Sequence, residues 1–208
     1  MDKCCISNMS CIRALMGFVI LALFAALAAP GRAESPIVRN CTWCHGTSAQ
    51  GYTPAPRLAG QRPLYIENQL AGFRTHARDN PLSKQYMWAA AENLDGSTAH
   101  ALALYFSTLP PKPARDGDAD LVEAGKRIYQ FGMPELDVVA CVVCHGPNAE
   151  GVGRIPRLAG LASSYLKRTL GQWAQGYHAA AGPPMPDIAS KLSPNQVEAL
   201  ASYLSFVR

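Results

Sequence analysis

Apolar residues recur at three- and four-residue spacing in four stretches of the chain, which is the period of a helix with one buried face. The stretches are 64–73, 98–109, 120–131 and 193–207. Asp120 and Ser193 precede the last two as candidate N-caps, and Pro194 suits the first helical position. No segment alternates apolar and polar residues as a half-buried strand would. The pattern therefore predicts an all-α fold.

A separate apolar run, 14–29, lies behind Lys3 and Arg13 and is followed by Pro30-Gly31-Arg32-Ala33. A basic start, a short apolar run and small residues at the −3 and −1 positions are typical of a cleaved signal peptide. The run is shorter than the roughly 20 residues that a membrane-spanning helix needs. We expect residues 1–33 to be removed on export, with an uncleaved anchor as the alternative.

The chain also matches itself at a shift of 100 residues. Cys41-Thr-Trp-Cys44-His45-Gly46 falls on Cys141-Val-Val-Cys144-His145-Gly146, and 56–60 falls on 156–160. Later the shift becomes 98, which pairs Met87 with Met185 and leaves two extra residues in the first copy at about 80–86. The segment 110–118 between the copies has three prolines in four positions, which favours a stiff connection. The repeat predicts two homologous domains, 34–109 and 119–208, joined by the linker 110–118.

Composition narrows the possible functions. The chain of 208 residues is 49% apolar and 16% charged, as in compact globular domains. Without the basic residues Lys3, Arg13 and Arg32 and the acidic Asp2, 16 basic and 14 acidic residues remain, which excludes a nucleic-acid binder. Each predicted domain has about 90 residues or fewer and builds a thin core by itself. A large apolar cofactor would add to that core.

The cysteines indicate which cofactor. Of the seven, Cys4, Cys5 and Cys11 precede the apolar run and leave with the leader, and the other four form two Cys-x-x-Cys-His motifs. In this motif the thiols add across the vinyl groups of haem, and the histidine becomes an axial iron ligand. Exposed disulfides and one zinc site built from both pairs are the alternatives. Zinc-binding pairs usually lie about 15–20 residues apart, and neither alternative requires His45 and His145 to recur. The motifs predict two haem c groups, bound through Cys41, Cys44, Cys141 and Cys144.

The sixth iron ligands are predicted by elimination. Three methionines follow the leader, and Met133 precedes the cysteine pair of its own copy, which leaves Met87 and Met185 in matching Met-x-x-x-Ala-x-x-Leu contexts. Histidine is the rival ligand. The candidates His76, His100 and His178 have no histidine partner in the other copy, so we expect all three to be exposed.

Around each iron, the carbonyls of Pro56 and Pro156 are placed to accept a hydrogen bond from the free ring nitrogen of His45 and His145. Arg57 and Arg157 are candidate partners of haem propionates, with a solvated charge as the alternative. Iron ligated by histidine and methionine has no open position for a substrate. The predicted chemistry is therefore outer-sphere transfer of single electrons, without enzymatic turnover.

Together these residues resemble the cytochrome c4 family of dihaem class I cytochromes c. The resemblance rests on both Cys-x-x-Cys-His-Gly motifs, the Pro-Arg-Leu-Ala-Gly segments, the two methionine segments and Gly125 to Tyr129. It implies two tandem cytochrome c folds with their propionate edges near a shared interface, and loose association with the periplasmic face of the membrane. Leu161 departs from the glutamine found at Gln61, and Trp43 is bulky beside the first haem.

The resemblance implies a periplasmic electron carrier. A bc1-type complex, a cytochrome or a copper protein would be its donor and a terminal oxidase its acceptor, with no nucleic acid and no small-molecule substrate. The alternative is the dihaem subunit of a periplasmic oxidoreductase such as a flavocytochrome c sulfide dehydrogenase. A third hypothesis is a dihaem peroxidase or a thiosulfate-oxidising enzyme. The chain is short for the former, and no cysteine is left over to ligate iron in the latter.

Overall fold

The described part of this computed structural model, residues 35–178 and 184–208, is all-α. Its only strand-like pairing consists of three isolated backbone bridges. Residues 37–208 form one compact unit. None of the described helices has the length and apolarity to cross a membrane. The predicted leader, 1–33, lies outside the described residues.

The helices follow the repeat. The first copy contains α1 (Pro36–His45), α2 (Pro63–Arg74), a π-helical turn (Ser83–Met87), α3 (Trp88–Ala91) and α4 (Gly96–Thr108). The second contains a 3₁₀ turn (Ala119–Leu121), α5 (Val122–Phe131), a second 3₁₀ turn (Pro134–Leu136), α6 (Val142–His145), α7 (Ser163–Ala174), α8 (Met185–Ser190) and α9 (Pro194–Phe206). The four predicted helices are α2, α4, α5 and α9.

Local sequence explains where the helices begin. Ser193 caps α9 in a capping box with Gln196, and Pro194 takes the first helical position, as predicted. The prediction for Asp120 is wrong. The carboxylate of Asp118 accepts the main-chain N–H of Asp120 at 2.9 Å and begins a 3₁₀ turn, so α5 starts only at Val122. Asp118, two residues before Asp120, offers the same kind of side-chain acceptor and caps the turn in its place.

Each copy has its own hydrophobic cluster. Residues at matching repeat positions occupy the two clusters, and the correspondences are Ala49 with Ala149, Ala59 with Ala159, Ile66 with Leu166, Leu102 with Leu200, Ala103 with Ala201 and Phe106 with Leu204. The two hydrophobic clusters are therefore built from corresponding positions of the repeat.

The copies differ before their cysteine pairs. In the second copy α5 packs directly on α9, and a Cβ at Gly125 would collide with the carbonyl of Ala199. In the first copy α1 begins at Pro36 and runs through the cysteine motif itself. The few residues before Cys41 thus extend the motif helix and form no separate counterpart of α5.

The linker 110–118 is irregular from 110 to 116 and is bound to both copies. The main-chain N–H of Lys112 donates to Oε1 of Gln50 at 2.9 Å. Further along, the N–H of Ala114 donates to the carbonyl of Gly160 at 3.1 Å, and that of Arg115 to the carbonyl of Ser205 at 3.0 Å. These bonds hold the predicted stiff connection against the body of the protein.

Candidate haem sites

Both motif histidines are buried and held by the same contact. Nδ1 of His45 lies 2.7 Å from the carbonyl oxygen of Pro56, and Nδ1 of His145 lies 3.0 Å from that of Pro156. The side chains are 6% and 7% exposed. The predicted hydrogen bonds are thus present in both copies. Because Nδ1–H donates to the carbonyl, Nε2 keeps its lone pair for a metal.

A short return loop builds each contact. The helix ends at the motif histidine, and the N–H of Gly51 donates to the carbonyl of His45 at 2.8 Å. Gly51 has a positive φ of 76°, and a Cβ there would lie 2.6 Å from the carbonyl carbon of Pro56. Gly151 makes the same bond to His145 and the same close approach in the second copy. Glycine is required because the chain must pass this close to the carbonyl that orients the imidazole.

Burial also sets the protonation of the imidazoles. Burial lowers the pKa of His45, and the nearby Arg78 charge lowers it further, against the opposing effect of the Pro56 hydrogen bond. Burial likewise lowers the pKa of His145. Neutral imidazole is the form that ligates a metal, so both rings are held ready to act as ligands.

Among the residues that the structure describes, no disulfide joins any two of the four cysteines, so the disulfide alternative is not formed. Cys41, Cys141 and Cys144 are half-buried and Cys44 is exposed. Burial raises the pKa of Cys141 to about 11. No group of three or more His, Cys, Asp or Glu side chains in the described segments is placed to hold a metal ion. The two cysteine pairs therefore do not come together as one zinc site.

The two methionines occupy corresponding places. Met87 ends the π-helical turn directly before α3, Met185 begins α8, and both are half-buried. The alanines four residues on, Ala91 and Ala189, are 0% and 1% exposed. The shared motif therefore anchors each methionine segment in its copy. Axial ligation by Met87 and Met185 remains a prediction.

Comparisons with known proteins identify the family of this chain. The family model for cytochrome c matches residues 122–207. Cytochrome c4 of Thiocapsa roseopersicina is 34% identical, over 84% of this chain and 91% of that protein. The chain belongs to the cytochrome c4 family. The solved cytochrome c4 structure from Acidithiobacillus ferrooxidans superposes with a TM-score of 0.74 at 34% identity, covering 80% of this chain and 98% of the other.

Another relative of this chain is named for an enzyme. The protein called thiosulfate dehydrogenase electron acceptor in Stutzerimonas stutzeri (strain A1501) is 36% identical, over 83% of this chain and 81% of its own length. Membership of the family implies haem c and electron transfer. It leaves the donor and acceptor open.

Haem c fits the residues of this cytochrome. Besides the thiols and the neutral histidines, Nε of Arg157 is buried and has no hydrogen-bond partner. A buried N–H without a partner is costly, and an anionic group such as a propionate would satisfy it. The pKa of Arg157 is lowered by burial and then by Arg62, while Glu150 opposes the shift. Arg157 therefore suits the predicted propionate contact.

Arg57 has different surroundings, although the sequence predicts the same role for it. Nη1 donates to the carbonyls of Lys112 and Gly160 at 2.7 Å each, and Nη2 donates to the carbonyl of Ala159. Burial, followed by the charge of Arg157, lowers the pKa of Arg57 to about 10. Its terminal nitrogens thus fasten the first copy to the second and to the linker. A propionate contact by Arg57 remains a prediction.

Gln61 and Arg62 of the first copy also form hydrogen bonds with the second copy, and the sequence did not predict these contacts. The side-chain amide of Gln61 donates to the carbonyl of Arg157 at 3.0 Å and accepts the N–H of Arg157 at 2.7 Å. Nε of Arg62 donates to the carbonyls of Glu150 and Gly151 at 2.8 Å each. Leu161 stands at the repeat position of Gln61, and a leucine side chain cannot form these hydrogen bonds. The difference between Gln61 and Leu161 is therefore the sequence feature that indicates a contact made from the first copy only.

The expectation that all three spare histidines are exposed is wrong for one of them. His76 and His100 are exposed, whereas His178 is 5% exposed. Nδ2 of Asn80 lies 3.1 Å from Nε2 of His178, and the N–H of His178 donates to Asp79 at 3.0 Å. Burial and then Arg78 lower the pKa of His178 to about 4, against the effect of Asp79. His178 therefore belongs to the contact between the copies.

A tyrosine from each copy completes that contact. Nη2 of Arg78 lies 3.4 Å from the hydroxyl of Tyr165, and Nη1 donates to Gln69 at 2.5 Å. Burial raises the pKa of Tyr65, and the neighbouring Tyr165 raises it further. Tyr65 and Tyr165 lie at matching positions 100 residues apart in the sequence, and their side chains interact across the contact between the copies.

Proposed function

We propose that this cytochrome carries two haem c groups, one attached through Cys41 and Cys44 and the other through Cys141 and Cys144. His45 with Met87 and His145 with Met185 would be the axial ligands. The observation that carries the proposal is the contact from motif histidine to proline carbonyl, which recurs in both copies with a buried, neutral imidazole. Haem iron supplies reversible one-electron chemistry when bound.

The chain's residues would then bind and orient the haem and exclude water from it. The return loops hold each imidazole in one orientation. If Met87 and Met185 each ligate a haem iron as proposed, the iron would have no open position for a substrate. The proposed function is an electron carrier without turnover of its own. It would pass single electrons from a bc1-type complex, a cytochrome or a copper protein to a terminal oxidase.

Stoichiometry is the first test. Mass spectrometry of the exported protein should show the polypeptide plus two haems. The C41A/C44A variant and the matched C141A/C144A variant should each retain one haem. A wild-type protein with one haem, or a double variant with unchanged haem content, would overturn the proposal.

The acceptor can be tested with membranes from the source organism. Pre-reduced protein should be reoxidised in air by membranes that contain the terminal oxidases, and cyanide should stop the reoxidation. Heat-treated membranes are the control. Reoxidation that is equally fast with heated membranes would contradict the proposed acceptor.

A second candidate function is the electron-accepting subunit of a periplasmic oxidoreductase, such as a flavocytochrome c sulfide dehydrogenase. The relative named as a thiosulfate dehydrogenase electron acceptor favours a role of this kind. Purification from the source at low salt separates the two candidates. A stoichiometric flavin-bearing or dehydrogenase chain on the column would establish the subunit function, and a free cytochrome would favour the shuttle.

We further propose that the protein acts in the periplasm after cleavage at Ala33, with peripheral association with the outer face of the inner membrane. The cleavage pattern and the covalent haem motifs support this location. Amino-terminal sequencing of the periplasmic fraction should begin at Glu34 or within a few residues of it. A chain that keeps its apolar run and stays with detergent-extracted membranes would contradict cleavage.

A further inference from the structure

Three exposed side chains adjoin the first cysteine pair. Trp43, which lies between the two cysteines, is 84% exposed, and Tyr52 is 54% exposed. Arg39 is also exposed and lies one helical turn before Trp43 on α1, so both face the same side of the helix. The hydroxyl of Tyr52 lies 3.5 Å from the carbonyl of Trp43. Arg39, Trp43 and Tyr52 therefore form one continuous surface, the aromatic face.

The repeat supplies an internal comparison. The positions 100 residues later are Val139, Val143 and Val152, and they are 52%, 74% and 62% exposed. We call these three residues the valine face. The same three positions are thus open to solvent in both copies, and the chemistry differs: one cation and two aromatic rings in the first, three aliphatic side chains in the second.

Charge distinguishes the two faces further. Between Ser35 and Ile66 the chain has three arginines and no aspartate or glutamate. Arg57 and Arg62 donate to carbonyls of the second copy, and no ion pair of the described residues involves Arg39. The second copy instead carries Glu135 and Asp137 before its cysteine pair, the latter paired with Lys191. The aromatic face carries the positive charge of Arg39, whereas the valine face carries no charge and follows Glu135 in the chain.

The aromatic face has the composition of a binding hot spot. Tryptophan, tyrosine and arginine are the residue types enriched where alanine substitution most weakens protein complexes. A tryptophan that is 84% exposed contributes little to the folded core. Its position between the two cysteines puts it beside the edge at which the thioether bonds would form. A protein bound there would lie close to the first haem.

We propose that the aromatic face is the docking site of an acidic redox protein. An apolar patch of the partner covers Trp43 and Tyr52, and carboxylates at its rim meet Arg39. This inference rests on the proposed electron-carrier function and assigns one of its partners to the first copy. The valine face, which lacks a cation and has acidic residues nearby, takes no part in this complex.

The probe for the test is an acidic type I copper protein of known structure, titrated into the intact haem-loaded cytochrome. Affinity is measured by calorimetry at low and high salt, and the contact surface is mapped by NMR on the labelled cytochrome. The W43V/Y52V variant gives the first copy the side chains of the second. V143A/V152A is the matched control on the valine face. All four side chains are more than half exposed, so neither variant removes core packing.

We expect W43V/Y52V to bind the copper protein about 30-fold more weakly, the effect of losing a hot spot. R39V should weaken binding about threefold at low salt and little at high salt, because screening already removes its contribution there. V143A/V152A should bind within about twofold of the wild type. Shifted NMR signals should cluster around Arg39, Trp43 and Tyr52.

Unchanged affinity of W43V/Y52V would overturn the proposal, as would loss of binding in V143A/V152A. Dimerisation of the cytochrome through Trp43, seen by sedimentation, would overturn it by assigning the face to a second copy. A redox titration of the same samples with ferricyanide distinguishes failure of the docking proposal from failure of the proposed electron-carrier function. If docking fails while both one-electron steps persist, only the docking site is wrong. If the one-electron steps are missing, the electron-carrier function is wrong.

Discussion

At the scale of single residues, the contact between motif histidine and proline carbonyl is the most predictable part of the site. Cys41 to His45 and Pro56 are close in sequence, and one glycine-dependent loop brings them together, so the motif already implies the contact. The burial of His178 and the carbonyl contacts of Arg57 could not be predicted in this way. Both depend on residues about 100 positions away, across the interface between the copies.

Removing one methionine should change one haem. In M87A or M185A, the methionine-to-iron charge-transfer band of the oxidised protein should fall by about half. The potential of that haem should drop by about 0.1–0.3 V, because thioether sulfur stabilises ferrous iron. M133L is the control, since Met133 is a buried residue outside both predicted ligand sets. Loss of the band in M133L with no loss in the other two would refute the assignment.

Protonation of His178 should destabilise the protein in mild acid. Its folded pKa of about 4 lies below the unfolded value of 6.5, so the unfolded chain binds more protons between these values. The free energy of unfolding should therefore fall by about 2–3 kcal/mol as pH drops from 7 to 4. The fall levels off below pH 4.

Denaturant titrations of H178Q and of the matched control H100Q check this prediction. H178Q should lose most of the pH dependence between 7 and 4. H100Q should keep it, because His100 is exposed and paired only with Glu67. An equal slope in H178Q and wild type would mean that His178 is not protonated on unfolding.

At the scale of helices, apolar spacing located α2, α4, α5 and α9, because each buries one face of a regular helix. The π-helical turn Ser83–Met87 was not predicted, but it lies where the first copy has two extra residues. Extra residues within a helix can be absorbed as a π turn while the flanking side chains keep their places. Apolar periodicity alone does not reveal such a turn.

The crossing of α5 and α9 depends on the absence of a side chain at Gly125. G125A should lower the free energy of unfolding by about 2–4 kcal/mol, because its Cβ meets the carbonyl of Ala199 and the helices must separate. G171A is the matched control within α7, where no atom lies within 4 Å of the added Cβ. It should be neutral or stabilising by up to about 1 kcal/mol. Equal effects of the two substitutions in thermal unfolding would contradict this crossing.

At the scale of the whole molecule, the self-match predicted two homologous domains, and residues at matching positions of the repeat occupy the two hydrophobic clusters. The contacts that join the copies do not repeat. Arg57, Gln61 and Arg62 reach across from the first copy, and their partners are mostly main-chain carbonyls, which have no signature in sequence. Pseudosymmetry was therefore predictable and the interface was not.

Loss of Arg57 should loosen the two copies from each other. R57A removes the guanidinium donor from the carbonyls of Lys112, Ala159 and Gly160, of which Gly160 keeps only the bond from Ala114, and should cost about 2–4 kcal/mol. Unfolding followed separately at the two haems should then show two transitions. R74A is the control, because Arg74 is exposed and donates to Leu94 within its own copy. A single transition in R57A, at the midpoint of R74A, would contradict the role of Arg57.

The central claim, that each copy holds one haem closed by histidine and methionine, is tested most directly by a spectroelectrochemical titration of the purified mature protein. Two one-electron steps at positive potentials, with the methionine-to-iron band at two-haem intensity, are the predicted result. A high-spin haem, or a step at negative potential without that band, would contradict it, because the iron would then be open or differently ligated.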